Sequence, residues 1–217
     1  MTVPHGTVGK GDTMRVFRRL AVIAAAAGLL LGPAAGIASA GARPAASAVH
    51  LRSGTTSVTT GSGIAVALFK NGIVPVATLP GREVIKYRHG QVAAKFGFPV
   101  TGGKVSLSPL GGYIAHSGGI LFIDLATGKK IKVSDFVISL THGNLTGIVN
   151  GNPKARVTLF NLSLAHATLK AGKHSVRASG IVVTLTKTAA SALDAALGTK
   201  LFSAGLKLGT ASTVLRF

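Results

Sequence analysis

Through much of the chain apolar residues recur at every second position, the spacing of strands with one face in a core and the other in solvent. Ile181, Val183 and Leu185 share one face of residues 175–187, with Val182, Thr184 and Thr186 opposite. Phe160, Leu162 and Leu164 share a face within 156–170. Ile64, Val66 and Leu68, then Val74 and Val76, alternate like core strands, which assigns 55–91 to the same domain. In Lys130–Leu140 the phase slips. Ile131 and Val133 have one parity, and Phe136, Ile138 and Leu140 have the other. An uncorrected slip would turn half the strand's side chains to the wrong face, so a bulge or bend is predicted at Ser134-Asp135.

One segment breaks the two-residue period. Residues 188–197 are alanine rich, with no β-branched residue after the first, and Leu193 and Leu197 are four apart on one helical face. Thr188 is the expected N-cap and Gly198 the expected C′ residue. Turns are marked at Asn71-Gly72, Gly102-Gly103, Gly118-Gly119, Thr127-Gly128, Asn150-Gly151 and Ala171-Gly172. These elements predict an all-β fold: a meander-like antiparallel β-sandwich or open barrel with one short helix near 188–197.

The start of the chain has a different pattern. Arg15, Arg18 and Arg19 precede an apolar run from Leu20 to Leu31, and small residues follow to Ala38-Ser39-Ala40. Basic start, apolar centre and A-x-A end are the parts of a secretory signal. Residues 1–40 are therefore read as a signal peptide, with Met14 as an alternative start. Residues 41–53 read as a flexible leader and 54–217 as a single β-rich domain. No later stretch is apolar and long enough to span a membrane, so the exported protein is expected outside the cell, secreted or in the envelope.

Composition then narrows the chemistry. The 217 residues include 24 Lys and Arg against 5 Asp and Glu, a formal charge of +19. Residues 41–217 keep 20 basic residues and 4 acids, a charge of +16. Cysteine is absent, which removes disulfides, thiolate metal sites and cysteine nucleophiles. Four acids leave little material for paired-carboxylate catalysis or oxygen-ligand metal sites. The expectation is a protein that is not an enzyme.

An ordered series of pieces carries a family resemblance. It runs from Phe98-Pro-Val-Thr-Gly-Gly-Lys104 through His116-Ser-Gly-Gly-Ile-Leu-Phe122, Val133-Ser-Asp-Phe-Val-Ile-Ser-Leu140 and Arg156-Val-Thr-Leu-Phe-Asn-Leu162. The helix, Gly198-Thr-Lys-Leu-Phe202 and Gly205-Leu-Lys-Leu-Gly-Thr-Ala211 close it. Over roughly the last 120 of the 217 residues the chain resembles secreted and surface-anchored actinobacterial domains of the HtaA haem-binding type. The resemblance implies a β-rich envelope domain and haem as a possible cofactor. Haem-binding members open with a Trp-Gly-x-x-x-Ser-Phe-type motif that carries an axial tyrosine. This chain has no tryptophan and no such opening.

Candidate ligand residues follow. Tyr113 and His116 are three apart, before Gly118-Gly119; tyrosine ligates haem iron and a histidine partner tunes it. On one continuous strand the two would face opposite sides, and His116 would then serve to fix the glycine turn. Tyr87 and His89, two apart, would share a face, with Lys86 and Arg88 placed for an anionic ligand. The competing reading is a solvated edge strand. His142, His166 and His174 are scattered without metal-ligand spacing, and His166 follows an apolar parity that predicts partial burial. Ser117 beside His116, with Asp124 downstream, is the nearest approach to a hydrolase and lacks the G-x-S-x-G elbow.

The surplus of cations is the remaining feature. Lys129, Lys130 and Lys132 form the densest group, followed by Lys170 and Lys173. Such a field attracts polyanions. Without interleaved exposed aromatics the pattern does not point to specific nucleic-acid binding. The function expected is a non-catalytic envelope module whose partner is an anionic cell-wall polymer or surface component. Haem binding or relay of the HtaA type is the alternative.

Overall fold

The computed structural model describes residues 48–88 and 91–217. The predicted signal, most of the predicted leader, and His89 lie outside the described residues. The elements in chain order are β1 (Val49–His50), β2 (Ser53–Thr60), α1 (Ser62–Lys70), β3 (Ile73–Thr78), β4 (Arg82–Arg88), β5 (Gln91–Leu107) and β6 (Leu110–His116). They continue with β7 (Gly119–Asp124), β8 (Lys130–Ser139), β9 (Asn144–Val149), β10 (Asn152–Ser163), β11 (Thr168–Gly172) and β12 (Ser175–Leu185). The last two are α2 (Lys187–Leu197) and β13 (Lys207–Arg216).

Eight strands close a barrel in the cyclic order β2-β5-β6-β8-β9-β10-β12-β13, every neighbouring pair antiparallel. Each wall strand lies beside the wall strand that precedes it in the chain, and the first meets the last. This is an up-and-down barrel, which removes both sheet edges. Of the two predicted arrangements the barrel is the one adopted, and it is closed rather than open. The other strands lie outside the wall: β1 and β4 on β5, β7 on β8, β3 on β7, and β11 on β12. Two of the residues assigned to the leader, Val49 and His50, pair with Val105 and Lys104, and Leu51 is buried.

The two-residue period fills the interior. Phe96, Phe98 and Val100 from β5, Ile114 from β6, and Val183 and Leu185 from β12 are all buried. The slip in β8 is absorbed as predicted. Ile131, Val133, Phe136 and Ile138 are all buried, and the β8–β9 register shifts between Ser134 and Val137. Asp135 carries the extra residue at φ 52°. Asp tolerates that left-handed conformation better than most residues. Its exposed carbonyl accepts from Arg156 Nη1 at 2.9 Å.

The same bulge explains His116-Ser117-Gly118-Gly119. Strands β6 and β7 share one edge of β8, on either side of the bulge. The chain steps between them at Gly118, whose carbonyl accepts from Asp135 N at 3.0 Å. Gly118 has φ +87°, and a Cβ there would lie 2.6 Å from Gly81 N. At Gly119 a Cβ would run into the carbonyl of Val133. Both positions therefore require glycine.

Other expectations need correction. Residues 62–70 form a helix, not a strand. The run Ile64-Ala-Val-Ala-Leu68 fits both periods, and burial of Ala65 and Leu68, three apart, follows the helical one. In β3 the more deeply buried parity is Ile73 and Pro75, not Val74 and Val76. The cap of α2 is Thr186, whose hydroxyl accepts from Ala189 N, so the helix starts before Thr188. Gly198 ends it at φ 70°. Gly102-Gly103 is no turn; it sits within β5, beside a register shift against β6.

Candidate functional site

Helices α1 and α2 lie at one end of the barrel. They follow β2 and β12, which both run towards that end, and they close it. Ile64 and Leu68 from α1, Ala189, Ala192 and Leu193 from α2, and Phe202 border an interior cavity of about 100 Å³. At the other end the wall strands are connected by a hairpin tip, a short loop and the segment that holds the outer strand β11. A second cavity, of about 80 Å³, extends there to Leu107, Leu110, Leu164 and Leu169. Thr56, Val58, Leu145, Phe160 and Val183 border both cavities and partition the lumen.

A polar brace crosses at this partition. His116 is buried on β6. Its Nδ1 lies 3.2 Å from the Phe136 carbonyl and its Nε2 2.7 Å from Thr56 Oγ1. Thr56 Oγ1 lies 2.8 Å from Thr213 Oγ1. A carbonyl only accepts, so Nδ1–H donates to Phe136 and Nε2 accepts from Thr56; Thr213 then donates to Thr56. The chain of bonds ties β8, β6, β2 and β13 together across the lumen and leaves no polar atom of the brace without a partner. Burial pushes the His116 pKa down to about 4, against the smaller upward effect of the Phe136 carbonyl, so the imidazole is neutral at physiological pH.

The candidate residues fall into separate places. Tyr113 and His116 lie on one strand and face opposite sides; Tyr113 is half exposed on the outer wall, opposite Lys104 and Ser139. Tyr87 is exposed on β4 opposite Val92, so Tyr87 and Tyr113 attach to β5 twelve residues apart. His142 and His174 are exposed, and so is His166, contrary to its predicted partial burial, because the strand ends at Ser163 before its parity reaches residue 166.

Ser117 and His116 do not form a catalytic pair, since both imidazole nitrogens are engaged inside the barrel. Asp124 is occupied elsewhere. The Thr127 hydroxyl first, then the Ala126 amide, hold its carboxyl below the usual range.

The two lysine groups also separate. Lys129, Lys130 and Lys132 are exposed near the helix-capped end, and Lys170 and Lys173 near the open end. Lys170 lies directly opposite Arg177 on β12, a like-charge pair on adjacent strands. The residues that sequence reasoning missed are Thr56 and Thr213. They stand 60 and 97 positions from His116, and nothing local marks a threonine as a histidine's partner.

Closure and strand order define the class: eight-stranded, antiparallel up-and-down barrels. Among solved structures, the chain is similar to the crystal structure of the C-terminal domain of HtaA from Corynebacterium glutamicum. The TM-score is 0.52 and the identity 15%, covering 77% of this chain and 98% of that one. A domain-swapped dimer of a histidine-to-alanine variant of that domain matches at TM-score 0.45 and 16% identity, over 71% of this chain and 91% of that one. No protein-family model and no curated protein matches the chain. The likeness is one of fold.

Proposed function

We propose that this protein is an exported, non-catalytic binding module of the cell envelope that holds an anionic envelope polymer on its outer wall. The observation that carries the reading is the Lys170–Arg177 pair. Like charges directly opposite on neighbouring strands repel. Lys173 at the adjoining hairpin adds to that field, and a polyanion lying across it relieves the repulsion. The acids among the described residues lie elsewhere: Glu83 accepts from the Ala77 amide, Asp124 caps a turn, Asp135 sits in the bulge and Asp194 accepts from Phe202 N.

Binding to purified poly(glycerol phosphate) wall polymer tests it. Affinity is expected to fall steeply from 50 to 300 mM salt, and Lys170→Ala with Arg177→Ala to weaken it several-fold. Binding that ignores salt would contradict the mechanism.

A second reading, haem capture, is supported by the motif resemblance and by Tyr113, exposed with Lys104 across the strand to face a propionate. The fit is partial. His116 is turned inward and cannot join Tyr113 as a ligand pair. Haemin titration of the intact protein, with Tyr113→Phe and Tyr87→Phe, distinguishes the two readings. A Soret shift abolished by Tyr113→Phe would replace the polymer reading with this one.

A further inference from the structure

The open end of the barrel has a feature that neither reading uses. Leu107, Leu110 and Leu169 are 45%, 36% and 40% exposed, yet all three line the interior cavity of about 80 Å³. Large aliphatic side chains that face water and a cavity together mark a mouth. Behind them Leu140, Leu162, Leu164, Val176 and Ile181 continue an aliphatic lining inward.

The polar groups on this path are already committed. Thr56 and Thr213 bond within the brace, and Ser139 Oγ lies 2.9 Å from His142 Nδ1. An occupant of the lumen finds no free hydrogen-bonding partner there, so the interior selects hydrocarbon. An aliphatic cavity of about 150 Å³ stays dry and takes an apolar guest, and the outer and inner cavities here hold about 80 and about 100 Å³.

The rim has the opposite character. Ser53, Arg216 and Ser175 lie side by side on β2, β13 and β12 at the open end, and Arg52 N donates to the Arg216 carbonyl at 2.8 Å. Arg52 and Arg216 therefore sit on the rim, with Lys173 in the hairpin beside them, all three exposed. The four acidic side chains among the described residues are on β4, at the end of β7, in the β8 bulge and on α2.

We propose that the open end binds a single-chain anionic amphiphile, its hydrocarbon tail inside the lumen and its acid head against Arg52, Lys173 and Arg216. A medium-length fatty acid has this chemistry. The leading methylenes fill the outer cavity, and a longer tail reaches the inner one past Val58 and Val183 at the partition. Each methylene buried raises affinity about three- to fourfold until the lumen is full.

The chain contains no tryptophan, so Leu110→Trp places the sole indole in the mouth, excited apart from the two tyrosines at the red edge of the absorption band. Titration with decanoate, below its micellar concentration, is expected to give a saturable blue shift. Val84→Trp, on outer strand β4, is expected to give none. Affinity is expected to rise from octanoate to decanoate, and Lys173→Glu with Arg216→Glu to weaken decanoate about tenfold while leaving decanol unchanged. Native mass spectrometry of the unaltered protein with decanoate is expected to show a one-to-one adduct, whatever the variants do to folding. No saturable shift and no adduct would overturn the site. Equal shifts at both tryptophans would show surface adsorption instead. Equal loss of decanol and decanoate would remove the cationic head contact. The tryptophan shift and the adduct read the lumen and are independent of polymer binding, which is read by Lys170→Ala with Arg177→Ala; Lys173 is shared by the two surfaces, so its variant is scored by the decanoate-against-decanol difference.

Discussion

The two ends of the barrel share one wall and differ in what the chain does between strands. Where β2 leads to β5 and β12 leads to β13, the connections hold α1 and α2, and these close the lumen with Leu68, Leu193 and Phe202. At the opposite end β5 passes to β6 through Ser108-Pro109 alone, β8 to β9 through residues 140–143, and β10 to β12 through residues 164–174, which hold the outer strand β11. None of these connections holds a helix. The capped end is therefore expected to carry more of the stability and the open end the access, the division of a rigid scaffold that carries a binding region.

Substitutions at the two ends sharpen this contrast most. Leu197 is 1% exposed on α2, and Leu197→Ala is expected to lower the unfolding free energy by about 2–5 kcal/mol. Leu110→Ala at the open rim is expected to cost less than about 1 kcal/mol. Urea unfolding of both variants decides the matter, and equal losses would abolish the distinction.

The brace between the ends gives the next largest effect. An unfolded histidine takes its proton near pH 6.5 and folded His116 only near pH 4. Between those values the unfolded state binds more protons. Stability present above pH 6.5 is therefore lost as pH falls, reaching about 3 kcal/mol by pH 4. His116→Gln is expected to remove most of that slope in a pH series of denaturant midpoints. Thr56→Val removes the hydroxyl that donates to Nε2 and is expected to cost about 1–3 kcal/mol. The smallest effect concerns the cap of α2. Thr186→Ala is expected to cost about 1 kcal/mol, measured as a shift in melting temperature, and Thr188→Ala close to nothing.

Much of the wall was legible before the structure. The two-residue period of Ile181, Val183 and Leu185 and the slip at Ser134-Asp135 are local signals, and sterics gives them one meaning. The helix at residues 62–70 was misread because Ile64, Val66 and Leu68 alternate while Ala65 and Leu68 also sit at helical spacing. Short apolar runs do not separate the two periods. For the candidate site, the inward turn of His116 away from Tyr113 followed from strand alternation. Its partners did not, because barrel closure brings Thr56 beside Thr213, 157 residues apart. The open mouth was equally hidden. Leu107 and Leu110 flank one hairpin, Leu164 and Leu169 lie more than fifty residues later in the connection from β10 to β12, and only barrel closure brings the two pairs to one mouth.

The pairing of β2 with β13 has a consequence for how the molecule is made. Residues 53–60 must wait for residues 209–216 before the circle is complete. Until the final strand emerges, β2 presents an unpaired edge that other chains can join. Joining ends so distant in sequence carries a large loop-closure cost and slows folding. A nascent or partly threaded chain is thus an open ribbon, and loss of the last ten residues would leave it so.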